Sequence, residues 1–81
     1  MIKAGDTMAF QFSAVGKFTV SFSRNGDILR SKNGDRKHLV EGGETTAFDI
    51  KRMLENIFKL DAKLSNQGED FLLFEFIKQE K

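Results

Sequence analysis

Cysteine, proline, tryptophan and tyrosine are all missing from this chain of 81 residues. Without cysteine there is no disulfide framework, no thiolate zinc site and no thiol nucleophile. A single histidine, His38, completes no Ser-His-acid arrangement, and any metal would have to be held by carboxylates around one imidazole. The longest apolar run is Phe71-Leu-Leu-Phe74, far below the roughly 20 residues that span a bilayer. The opening Met1-Ile-Lys-Ala-Gly-Asp6 lacks the apolar stretch and cleavage motif of a signal peptide. These absences predict a soluble, cytoplasmic, non-enzymatic protein with no metal and no cofactor.

What the chain does have is phenylalanine, nine of them. Each buries about 150–250 Å² when packed, which is how one small core can hold together without a covalent staple. A domain of this size is stabilised by only about 5 kcal/mol, and residues 1–81 are read as a single domain. The net charge of +1 conceals an asymmetry. Residues 1–40 carry seven Lys/Arg and three Asp, a net +4, whereas residues 41–81 carry six Lys/Arg and nine Asp/Glu, a net −3. Such a division predicts one basic and one acidic face.

Alternation of apolar and polar residues marks the strands. Met8, Phe10, Phe12 and Ala14 alternate in a strand over about 7–14, and Phe18, Val20 and Phe22 in one over about 17–24. Asn25-Gly26-Asp27 recurs as Asn33-Gly34-Asp35. Asn-Gly between alternating segments signals a type I′ hairpin turn, which needs positive φ at both positions. Two such turns predict further strands over about 27–32 and 35–40. Glu41-Gly-Gly-Glu44 then breaks the sheet, and Thr45 or Thr46 caps a helix over about 46–65. In that helix Ile50, Met53, Leu54, Ile57, Leu60 and Leu64 fall within roughly 60° either side of one direction. Lys51 and Glu55 form an i,i+4 pair on its outer side. A last strand, about 70–78, is apolar on both sides. The prediction is therefore an α+β fold of order β-β-β-β-α-β: a four-stranded antiparallel meander on one amphipathic helix, with a C-terminal fifth strand at an edge.

Two-residue turns would also settle the faces. They place Phe22 opposite Leu29, Ser21 opposite Arg30, Thr19 opposite Lys32, and Arg30 opposite Lys37. Phe18, Val20, Phe22, Leu29 and a partly buried His38 then face the helix. Arg30, Lys32, Arg36 and Lys37, with Thr19, Ser21 and Gln11, form a basic, hydroxyl-rimmed face on the open side, suited to an anionic partner. Because the side-chain period is two, a slip of one residue would reverse this assignment. Phe71, Leu73 and Ile77, on the second side of the last strand, form a candidate self-association patch.

The function these features predict is a small protein-binding module, an inhibitor or adaptor of the kind phages and mobile elements encode. It would block a host complex by docking on an acidic or nucleic-acid-binding surface. Over residues 8–64, four antiparallel strands followed by a helix also resemble, in element order, the transcriptional coactivator and Whirly families of single-strand-binding proteins. That resemblance implies a single-stranded nucleic-acid binder that acts as a dimer or higher oligomer. It carries no alignable motif, so no site residue transfers, and the aromatic rings that would stack on bases are directed to the core. A third expectation is a structural or assembly subunit that dimerises through the last strand.

Overall fold

The computed structural model describes residues 2–39 and 47–78. Strand β1 spans Thr7–Phe12, β2 Lys17–Arg24 and β3 Asp27–Asp35. A single 3-10 turn, Arg36–His38, follows; helix α1 spans Ala47–Phe58, and strands β4 (Asp61–Gln67) and β5 (Phe71–Ile77) complete the chain. The fold is α+β, a five-stranded antiparallel sheet with one helix, as expected. The order is β-β-β-α-β-β, with the strands arranged β3-β2-β1-β5-β4 across the sheet. The expected Glu41–Glu44 break and the Thr45 or Thr46 cap lie outside the described residues.

The first Asn-Gly turn forms as its residue types require, with φ of 54° at Asn25 and 84° at Gly26. The second does not form, and β3 runs straight through Asn33-Gly34-Asp35. The reason is Phe18. Gly34 pairs with Phe18 across the ladder, and a Cβ on Gly34 would lie 2.8 Å from the ring. This glycine makes room for an aromatic ring rather than supplying a turn. Asn33 joins the ladder as well, accepting a hydrogen bond of 2.8 Å from the Thr19 hydroxyl on its amide oxygen. The predicted strand over about 35–40 is therefore not formed: Asp35 ends β3, residues 36–39 are not strand, and Val40 lies outside the described residues. His38 sits in the 3-10 turn with its side chain 71% exposed, 3.8 Å from the Asp35 carboxylate, so it is not a core residue.

The helix is shorter than its apolar spacing suggested. Lys59 adopts φ 60° and donates its N–H to the Glu55 carbonyl at 3.0 Å, a left-handed stop made without glycine. Ala62 and Leu64 also satisfy a period of two, and in β4 they follow it. Ala62 pairs with Phe76 and Leu64 with Phe74 in the β4–β5 hairpin. Glu55 stitches the helix to β4: one carboxylate oxygen accepts both the Ala62 N–H and the Lys51 ammonium at 2.9 Å. The Ala62 bond above all, helped by Lys51 and opposed by burial, holds the Glu55 carboxyl below its ordinary range.

Strand β5 does not add at an edge. It lies between β1 and β4, with Phe10 opposite Leu72 and Met8 opposite Phe74. Its second apolar side, Phe71, Leu73 and Ile77, lies on the open face, with Phe71 and Leu73 half-buried and Ile77 exposed. Leu72, Phe74 and Phe76 are buried on the helix side with Phe10, Phe12, Phe18, Ile50 and Leu54. The Phe58 and Phe76 rings meet edge to face at 5.6 Å, and Phe10 and Phe74 at 6.1 Å.

Two substitutions test this packing. Gly34→Val should lower the unfolding free energy in urea by about 1–3 kcal/mol, because the Phe18 ring cannot retreat from a filled core. Glu55→Ala removes a charged acceptor from a backbone N–H and should cost about 1.5–3 kcal/mol in the same titration.

Candidate functional site

The register decides where the predicted site residues stand. A bulge between Phe22 and Ser23 adds one residue, Leu29, to β3, so that Phe22 faces Arg30, Val20 faces Lys32 and Ser21 faces Ser31. This is the one-residue slip that reverses a strand's faces. Arg30 and Lys32 accordingly share the helix side with Phe18, Val20 and Phe22, and the predicted basic open face is not assembled. Thr19, Ser21 and Gln11 do share the open side, where Gln11 pairs with Thr19 and Ala9 with Ser21. Arg36 and Lys37 belong to the 3-10 turn instead of a strand. The Arg36 guanidinium lies over the Phe12 ring, 4.6 Å from its centre, on the helix side. Phe71, Leu73 and Ile77 remain on the open side. Phe71 and Leu73 are half-buried there, and Ile77 is 39% exposed.

Moving the cations to the helix side places them beside a groove. Among the described residues β3 is mostly exposed, and Val20 and Phe22 of β2 are only half-buried on the helix side. The resulting depression has a volume of about 750 Å³. Met8 and Phe22 form its floor, Ile57, Phe58 and Leu60 its helix wall, and Ile2 and Leu29 its remaining apolar lining. Arg24, Arg30 and Lys59 also line it, and among the described residues no carboxylate does. Ile57 is 59% exposed and Leu29 52%, so apolar surface continues up both walls into water.

The three cations differ. Arg24 is locked in place by Asp6, with Nε and one terminal nitrogen donating at 2.9 Å to the two carboxylate oxygens. The Lys3 backbone N–H adds a third bond, 2.8 Å long, to the same carboxylate. Asp6 is only 2% exposed. The Arg24 hydrogen bonds lower its pKa to about 2, against the opposing effect of burial. The pair also ties β1 to β2 where the chain enters the sheet; there the Gly5 N–H donates to the Phe76 carbonyl and the Phe76 N–H to the Asp6 carbonyl. Arg30 and Lys59, by contrast, have no ion-pair partner among the described residues.

Sequence reasoning named Arg30 as a site residue but missed Leu29, Lys59 and the use of Ile57. A bulge leaves no mark in an alternating pattern. The apolar stripe of α1 did include Ile57, but the stripe alone does not show that the sheet beneath its end extends past the helix. Among the described residues no cluster of three or more His, Cys, Asp or Glu side chains is placed to hold a metal. Among the same residues no helix is long and apolar enough to cross a membrane.

Acid should weaken the Asp6–Arg24 contact in a defined window. The Asp6 pKa is about 2 in the fold, against about 3.9 in the unfolded chain. Its contribution is thus complete above about pH 4 and disappears as the pH falls towards 2. Asp6→Asn should lower Tm at neutral pH and make the fall in Tm across that acid window shallower, as read by circular dichroism melts.

The resemblance to the single-strand-binding families rested on four strands preceding the helix, and only three do so here. No family model, no curated protein and no solved structure matches the chain.

Proposed function

We propose that this protein is a non-enzymatic binding module that docks an acidic surface of a partner protein over the groove beside α1. One observation carries the reading: apolar walls that rise into water share their rim with cations and, among the described residues, with no carboxylate. An apolar side chain such as Leu29 or Ile57 is stabilised by about 1.5–3 kcal/mol when fully buried, so a partner covering both gains affinity. The surrounding cations steer an acidic surface into place and disfavour basic ones.

With no catalytic constellation in view, the mechanism is occlusion. A compact protein held over a partner's surface blocks whatever that surface normally engages, as inhibitors and adaptors encoded by phages and mobile elements do. The encounter takes place in the cytoplasm.

Capture from host-cell lysate on immobilised protein tests the reading. Leu29→Ser/Ile57→Ser alters two exposed side chains and should leave the circular dichroism spectrum unchanged while abolishing capture of the partner. Gln11→Lys/Ser31→Glu, on the open side of the sheet, should retain it. Capture that survives the groove variant and fails with the open-side variant would transfer the binding surface to the other face.

A further inference from the structure

We infer that the groove seats an acidic amphipathic α-helix of the partner protein, lying beside α1 over β2 and β3; this inference rests on the docking reading above. Five strands separated by about 4.8 Å make a sheet roughly 19 Å across. One helix with its side chains is about 10 Å wide. One helix therefore does not span the sheet, and the groove lies between α1, with Ile57 and Phe58, and β3, with Leu29 and Arg30, whose strand is mostly exposed. The chemistry of the groove matches that shape. Arg30 stands on the β3 side and Lys59 on the α1 side, with the apolar floor between them. A helix with one apolar stripe flanked by Glu and Asp presents the complement.

Other occupants fit less well. A β-strand adds through its backbone, but β2 is already paired on both sides, and the outer edge strand β3 has its ladder disrupted by the bulge and carries Arg30 and Lys32. Nucleic acid favours exposed rings for base stacking, whereas the groove's two rings, Phe22 and Phe58, are half-buried and its most exposed apolar residues, Leu29 and Ile57, are aliphatic. A single acyl chain would leave Leu29 and Ile57 largely in water. A second copy of this chain would bring α1 with as many cations (Lys51, Arg52) as carboxylates (Asp49, Glu55), and Lys51 already pairs with Glu55, so it offers no acidic complement to Arg30 and Lys59.

The test uses a fluorescein-labelled peptide of roughly 18 residues, with Leu at i, i+3, i+4 and i+7 spacing and Glu elsewhere. Three further probes accompany it: a permuted peptide of the same composition, the same peptide with Lys in place of Glu, and labelled oligo(dT). By fluorescence anisotropy the acidic amphipathic peptide should bind at least roughly tenfold more tightly than the permuted one, and should gain helical circular dichroism on binding. Arg30→Glu/Lys59→Glu should weaken it roughly tenfold, and raising salt from about 50 to about 200 mM should weaken it further. Equal binding of the permuted or Lys-bearing peptide, tighter binding of oligo(dT), indifference to the double charge reversal or no binding at all would overturn the helix assignment. The lysate capture separates the two levels. Capture that depends on Leu29 and Ile57 without discrimination among the peptides removes the helix and leaves the docking surface. Capture that ignores both residues removes the docking surface as well.

Discussion

The pairing of β1 with β5 is the contact on which the rest of the structure depends. On one side of it lies the local meander β1–β2–β3, and on the other the hairpin β4–β5, preceded by the helix. Neither half would bury much by itself, since two or three strands with one exposed apolar face are marginal in water. When Phe10 comes opposite Leu72 and Met8 opposite Phe74, the phenylalanines of both halves fall on one side and α1 can close over them. The backbone bonds from Gly5 to Phe76 and from Phe76 to Asp6 continue this seam to the sheet's end, where Asp6 also holds Arg24.

A second constraint is one of arithmetic. Side chains alternate with a period of two, so the single extra residue at Leu29 moves Arg30 and Lys32 from the hydroxyl-bearing side to the helix side. The bulge thereby joins two features that a regular hairpin would have kept apart: the cations of β3 and the uncovered apolar surface beside α1. The same bulge disrupts the ladder of an outer strand, which discourages edge-to-edge association.

Much of the core was legible in the sequence. Met8, Phe10 and Phe12, and Phe18, Val20 and Phe22, face the helix as their alternation predicts, and Lys51 meets Glu55 one helical turn away. The misreadings came from signals with two physical meanings. Leu64 suits a helix by spacing, yet with Ala62 it suits a strand equally well, and Phe74 and Phe76 on β5 select the strand. Gly34 follows an asparagine as a turn glycine would, yet its role is to lie beneath a phenylalanine ring. The last strand was expected at an edge, and it lies inside the sheet with its second apolar side still on the open face.

The candidate site was less legible than the fold because it depends on register and coverage, neither of which is a local property. Residue types alone determined that this is an α+β chain with a phenylalanine core, one amphipathic helix and a tight Asn25-Gly26 reversal, because propensity, periodicity and turn chemistry act over a few neighbouring residues. Tertiary structure alone decided which side of the sheet carries Arg30, how far α1 covers it and that Lys59 stands across the groove from β3. Those outcomes arise from pairing between segments distant in the chain, where a one-residue offset in a ladder costs little locally and redirects every side chain beyond it.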